Sequence, residues 1–112
     1  MKIIEAINQL DTLKPNAYNS GEKIVWLSRL DTIIKKYIID THEGGDVTFT
    51  GYDEATDQNT ELLVAEPYDE MYIRWLEAQI DYANGEYERF NNSVELYNKA
   101  YEEYKKYYKE YY

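Results

Sequence analysis

The chain contains no cysteine, only two prolines and a single histidine among its 112 residues. Without cysteine it has no disulfide, thiolate metal site or thiol nucleophile, a usage that fits a reducing compartment. No run of 18 apolar residues occurs, so no membrane-spanning helix is predicted. A chain of this length predicts one domain covering residues 1–112.

Basic residues are also missing from one long segment. No Lys or Arg occurs between Tyr37 and Ile73, whereas the rest of the chain holds 12 acidic and 12 basic residues. The formal net charge of −10 therefore belongs to this segment. The acidic balance argues against specific nucleic-acid binding and against attraction to an anionic membrane. The ten acidic residues are Asp40, Glu43, Asp46, Asp53, Glu54, Asp57, Glu61, Glu66, Asp69 and Glu70.

Apolar periodicity predicts two helices in the first third of the chain, over about 2–13 and 21–41. Asn19 followed by Glu22 is a capping-box pair for the second helix. Over about 43–66 the helical period disappears. Val47–Thr50 alternates apolar and polar residues, and Thr60–Val64 could pair with it. The segment is therefore predicted to be a short β-hairpin or an extended acidic loop.

The C-terminal part of the chain carries a long apolar stripe with steps of three and four residues. The stripe continues in phase through Asn84-Gly85, which favours one long C-terminal helix over about 68–110 and a mainly α fold, a small helical bundle. A break near Asn91 is the alternative, since Asn92 and Glu95 form a plausible capping pair. The stripe consists of Tyr72, Leu76, Ile80, Ala83, Tyr87, Phe90, Val94, Tyr97, Tyr101, Tyr104, Tyr108 and Tyr111.

No group of residues predicts catalysis or a cofactor. The acidic loop lacks the glycine and the terminal glutamate of an EF-hand. His42 has no second histidine or cysteine to share a transition metal. The serines have no His–acid relay nearby in sequence, and adjacent carboxylates diverge around a helix. We therefore expect no catalytic, cofactor-binding or metal-binding residues and no enzymatic activity.

Tyrosine is unusually frequent, with 14 in the chain and seven among the last sixteen residues. A Tyr-rich helical tail over 98–112 holds more rings than one stripe can bury, so Tyr107 and Tyr112 are expected to face outward. Amphipathic aromatic side chains are enriched in protein interfaces. The alternative is that these tyrosines merely cover the helix surface. The predicted interface residues are Trp26, Trp75, Tyr104, Tyr107, Tyr108, Tyr111 and Tyr112.

A set of short segments between about 14 and 97 matches a known family: Trp26–Asp31, Ile39–Gly45, Phe49–Tyr52, Leu62–Val64, Pro67–Tyr72, Trp75–Glu77, Asp81–Tyr87 and Asn91–Ser93. In these segments the chain resembles the head–tail connector (adaptor, or head-completion) proteins of tailed phages and prophages. The resemblance implies a small helical protomer that forms a ring with copies of itself. It also implies contacts with the portal and with tail or neck proteins, an extended DNA channel, and a place in the virion neck after assembly in the host cytoplasm.

The acidic segment has two interpretations in this context. In a ring, its carboxylates would face the channel, where they would repel phosphate, or face a partner. The competing interpretation is a monomeric, acidic helical binding module that mimics DNA or acts as an adaptor on a basic protein. The residues predicted to carry either role are Asp46, Asp53, Glu54, Asp57 and Glu61.

Overall fold

The computed structural model describes residues 1–41 and 48–111, and over these ranges the fold is mainly helical. The prediction of a mainly α protein with a long C-terminal helix is confirmed. None of the helices in these ranges has the length and apolar composition of a membrane span. The elements are α1 (Ile3–Leu13), α2 (Ser20–Tyr37), a 3-10 turn (Ile39–Thr41), α3 (Glu70–Ala83) and α4 (Tyr87–Tyr111).

Helix α2 begins at the predicted cap. The Asn19 side chain accepts a hydrogen bond from the Glu22 N–H at 2.8 Å, and the Glu22 carboxylate accepts one from the Asn19 N–H at 3.3 Å. These reciprocal bonds satisfy two backbone donors at the helix start. The helix ends at Tyr37 and the 3-10 turn covers the remainder of the predicted span to about residue 41.

The single helix predicted over 68–110 is wrong, because the chain reverses at Gly85. Gly85 has φ +73°, and its N–H donates to the Tyr82 carbonyl at 3.0 Å, while the Glu86 N–H donates to the Asp81 carbonyl at 2.9 Å. These two bonds are the Schellman ending of a helix, in which the left-handed residue is usually glycine. The alternative break near Asn91 is also wrong, since Asn91 lies within α4.

The unbroken apolar phase was misleading because α3 and α4 form an antiparallel helical hairpin. The contacting pairs are Asp81–Ser93, Trp75–Tyr97 and Tyr68–Tyr104, so the two segments run in opposite directions. Tyr72 of the α3 stripe bonds to Asp31 of α2, whereas Tyr97 of the α4 stripe packs on Trp75 of α3. Each helix thus buries a stripe of its own. Both stripes therefore keep helical spacing, although the chain turns between them.

The segment that precedes α3 is an extended loop rather than a hairpin. Over 48–69 the described residues contain no strand, and Glu61 makes one isolated antiparallel bridge with Lys2. The N–H groups of Ile3 and Ile4 donate to loop carbonyls of Thr60 and Gln58 at 3.0 and 2.9 Å. The loop thus satisfies backbone donors at the start of α1 that have no partner within that helix.

Helix α3 is the central element, because it packs against α1, α2 and α4. Its side chains meet those of α1 and α2 in one continuous apolar core, and α4 covers the other side of α3. The fully buried side chains include Ile3, Leu10, Leu27, Leu30, Ile34, Met71, Tyr72, Leu76 and Ile80.

Candidate functional site

A buried carboxylate, Asp31 of α2, is the polar centre of the molecule. Its Oδ1 accepts from the Tyr72 hydroxyl at 2.7 Å, and its Oδ2 accepts from the Tyr52 hydroxyl at 2.6 Å. The Leu63 N–H also donates to Oδ2 at 3.2 Å. Burial raises the pKa of Asp31, and the hydrogen bonds that stabilise its charged form oppose this effect.

These bonds tie the acidic loop to the helical body. The Tyr72 hydroxyl accepts from the Val64 N–H at 2.8 Å, and the Tyr52 N–H donates to the Ser28 Oγ at 2.9 Å. The loop is therefore held to α2 and α3 at residue 52 and at residues 63 and 64. Its position is set by the core, so its exposed carboxylates have a defined place on the surface.

Sequence reasoning missed Asp31, although a signal was present. Asp31 follows Leu27 by four residues and precedes Ile34 by three, so it lies on the buried stripe of α2. An acidic residue at such a position requires donors from other parts of the fold. The sequence does not reveal that two tyrosines and the Leu63 backbone supply them.

Two of the predicted loop carboxylates shape the loop itself. The Asp53 Oδ1 accepts from the Ala55 N–H at 2.8 Å, and the Asp57 Oδ1 accepts from the Asn59 N–H at 2.9 Å. Such Asx turns fix the backbone locally. Both residues remain exposed, so they fold the loop and also contribute to its surface charge.

The other predicted loop carboxylates lie at helix starts or outside the described residues. Glu54 lies beside Gly21 in the first turn of α2, so close that a Cβ at position 21 would be 3.0 Å from its side chain. Glu61 pairs with the Met1 amine at 3.2 Å. Asp46, like His42, lies outside the described residues. In the part of the chain that is described, no three His, Cys, Asp or Glu side chains are grouped to hold a metal ion.

The predicted tyrosine interface is divided between core and surface. Tyr104 and Tyr108 are buried, with 5% and 8% of their surface exposed. Tyr107 stacks on Tyr68 at 4.6 Å between ring centroids, so the expectation that it faces outward was wrong. Tyr111, which the stripe placed at the seam, is 71% exposed. Tyr112 lies outside the described residues.

The two predicted tryptophans lie together in what we call the aromatic valley, formed by Trp26, Tyr37, Trp75, Tyr97 and Tyr101. The Trp75 Nε1–H donates to the Trp26 carbonyl oxygen at 2.8 Å. The rings of Trp75 and Tyr97 lie 5.0 Å apart, and those of Tyr97 and Tyr101 lie 6.0 Å apart. Trp75 of α3 thus contacts α2 through the Trp26 carbonyl and α4 through the Tyr97 ring.

The aromatic valley is open to solvent. Trp26, Trp75 and Tyr101 are partly exposed, and Tyr37 is 55% exposed. Burial raises the pKa of Tyr101, with further contributions from the negative charge of Glu102 and from Tyr37 of α2.

Basic side chains surround the aromatic valley. The Lys36 ammonium lies 5.3 Å from the centroid of the Tyr37 ring. Arg29 follows Trp26 by three residues and Lys105 follows Tyr101 by four, so each lies on the same helix face as its aromatic neighbour. All three bases are exposed, and none pairs with a carboxylate among the described residues. We call Arg29, Lys36 and Lys105 the basic rim.

A concave feature of about 740 Å³ lies between α1 and α3. Arg74 at its edge bonds to the carboxylates of Glu70 and Glu77 at 3.0 and 3.1 Å. Its charge is thereby neutralised, and the groove offers no convergent reactive groups. The lining residues are Asn8, Gln9, Thr12, Leu13, Glu70, Ile73 and Arg74.

Comparison of the chain with protein-family models, with curated proteins and with solved structures found no match in any of the three.

Proposed function

We propose that this protein is a structural virion protein of the head–tail connector type, a ring-forming adaptor between portal and tail that extends the DNA channel. The proposal starts from the resemblance of the segments between about 14 and 97 to that family. The mainly helical fold is compatible with it. The observation that carries it is the presence of two unlike surfaces on opposite flanks of α2.

A closed ring needs such a pair of surfaces. In a cyclic assembly with more than two members, one patch of each subunit meets a different patch of the next. The acidic loop lies along the flank of α2 that contains Gly21 and Ser28. Trp26 lies two residues before Ser28, and Tyr37 lies nine residues after it. At about 100° of rotation per residue, both therefore lie on the opposite flank of α2. Each protomer therefore offers one acidic surface and one aromatic surface rimmed by bases.

The acidic loop also suits a protein that lies next to moving DNA. The acidic loop, residues 48–69, contains six carboxylates and no Lys or Arg. Carboxylates repel phosphate, and a loop anchored by Asp31 holds this charge in a fixed place. In the proposed ring, the loop faces either the channel or a neighbouring subunit.

The same carboxylates favour a second candidate function, a monomeric acidic module that mimics DNA on a basic protein. The two functions differ in what the acidic loop contacts. A DNA mimic binds a DNA-binding protein and is displaced by DNA, whereas a connector binds the portal and is indifferent to added DNA.

The test is co-sedimentation with a purified portal protein from a phage or prophage that carries this chain, with and without duplex DNA. We expect association with the portal that added DNA leaves unchanged, and ring-shaped density at the portal's tail-facing end by electron microscopy. A chain that never sediments with the portal, at any salt concentration, contradicts the connector proposal. DNA-sensitive binding to a basic protein instead supports the module.

A further inference from the structure

We infer that the acidic loop of one copy docks into the aromatic valley of the next copy, with Glu54 facing the basic rim. This inference rests on the proposed function, because it names the contact that closes the ring. It assigns the loop to the subunit interface rather than to the channel wall. The occupant of the aromatic valley is therefore a second copy of this chain.

Charge complementarity is the first argument. The exposed end of the loop carries Asp53, Glu54 and Asp57, and no base occurs within 48–70. The valley carries three exposed bases, Arg29, Lys36 and Lys105, none of which pairs with a carboxylate among the described residues. Opposite charges on two faces of one chain favour a head-to-tail contact and disfavour pairing of like faces.

The anchoring of the loop is the second argument. Tyr52 is bound to Asp31 at 2.6 Å and to Ser28 at 2.9 Å, so the loop is fixed on its own flank of α2. It cannot cross α2 to fill the valley of its own protomer. The acidic and basic surfaces therefore remain separate within one chain and can meet only between chains.

The composition of the aromatic valley is the third argument. Tyr, Trp and Arg are enriched at the centres of protein interfaces, and Trp26, Trp75, Tyr101 and Arg29 are all at least partly exposed here. An Arg guanidinium pairs with a carboxylate through two parallel hydrogen bonds, which gives such a contact a defined geometry. The loop end offers exposed carboxylates at Asp53, Glu54 and Asp57.

Mixing two charge-reversed variants tests this contact. Arg29→Glu places a glutamate opposite Glu54, and Glu54→Arg places an arginine opposite Arg29, so each variant alone brings like charges together and should lose self-association. When the two are mixed, the residue at position 54 of either variant meets the opposite charge at position 29 of the other. We expect the mixture to recover at least half of the wild-type assembled fraction by sedimentation velocity, at a salt concentration that screens the overall negative charge.

Controls separate this effect from folding and from net charge. Glu88→Arg and Arg89→Glu make the same charge changes on α4 away from the valley and should assemble as wild type does. The Glu54 side chain lies against Gly21 in the first turn of α2, so replacing it also changes a contact with that helix. Ala55→Arg is therefore a second loop variant, and it keeps the turn-forming Asp53 and Asp57. Circular dichroism of each variant checks the helical content.

The outcomes distinguish this inference from the proposed function. A mixture that assembles no better than its components, or variants that assemble as wild type does, overturns the docking contact. A wild-type chain that remains monomeric at all concentrations also overturns it. In each case, binding to the portal would leave the connector function standing. If the chain assembles through these residues but does not bind the portal, the docking contact is supported and the connector function is contradicted.

Discussion

The Tyr72 hydroxyl donates to the Asp31 carboxylate at 2.7 Å where α3 meets α2, and it accepts from the Val64 N–H at 2.8 Å. One hydroxyl thus links two helices and the end of the acidic loop. Since Asp31 is fully buried, the place of an exposed, charged loop depends on a charge held inside the core.

Replacing Asp31 by alanine should destabilise the fold. The substitution leaves the hydroxyls of Tyr52 and Tyr72 and the Leu63 N–H without their acceptor, and an unsatisfied buried donor costs about 1–3 kcal/mol. We expect a loss of about 3 kcal/mol in the free energy of unfolding, measured by urea denaturation. Asp57→Asn is the control, since asparagine also forms an Asx turn, and it should change stability by less than about 0.5 kcal/mol.

The two tyrosines that bind Asp31 should differ in their contribution. Tyr72→Phe removes a donor to Asp31 and an acceptor for Val64 in the buried core, whereas Tyr52→Phe removes one bond at a partly exposed site. We expect losses of about 2 kcal/mol for Tyr72→Phe and about 1 kcal/mol for Tyr52→Phe in the same urea assay. Equal effects would show that the Val64 bond contributes nothing.

Stability should depend on pH through Asp31. Its folded-state pKa is raised above the ordinary value of 3.8 by burial, so the folded protein binds this proton more tightly than the unfolded chain. The resulting contribution is fully present below 3.8 and is lost as the pH rises through the folded-state pKa. The stability difference between wild type and Asp31→Ala should therefore widen as the pH is lowered from about 7 towards 4. A constant or narrowing difference would contradict the raised pKa.

The effect of Gly85→Ala on the free energy of unfolding shows whether the C-terminal half is one helix or two. In a continuous helix, Gly85→Ala would stabilise the protein by about 1 kcal/mol. At the observed φ of +73°, with open space around the Cβ position, the same change introduces backbone strain alone and should destabilise it by about 1–2 kcal/mol. Gly85→Asn should cost less, since asparagine tolerates the left-handed conformation. Thermal or urea unfolding of the two variants measures both values.

The sequence alone was sufficient for the local structure that short-range physics determines. The Asn19–Glu22 cap, the apolar stripe of α2 and the helical C-terminal region follow from residues that contact each other within one or two turns. The turn at Gly85 was missed because each of the two antiparallel helices buries a stripe of its own, so the 3/4 spacing continues across the turn.

Long-range contacts explain the rest of what the sequence did not reveal. Tyr104 and Tyr108 are buried, and Tyr107 stacks on Tyr68. Like the hydrogen bonds to Asp31, these features depend on contacts between residues far apart in the chain. Trp26 and Trp75 likewise come together in the aromatic valley only when α2, α3 and α4 are packed in their observed arrangement. Composition identified aromatic and acidic surfaces, but only the fold assigns them to different flanks of α2.

Chemical cross-linking tests the central claim, a head-to-tail contact between unlike surfaces, most directly. Because the chain has no cysteine, Lys36→Cys and Glu54→Cys place unique thiols on the basic rim and on the acidic loop. With a short bis-maleimide, the double variant should yield a ladder of oligomers on a denaturing gel. Each single variant, and a Lys36→Cys/Glu88→Cys control, should give no species beyond a dimer. A double variant that also stops at the dimer would contradict the account.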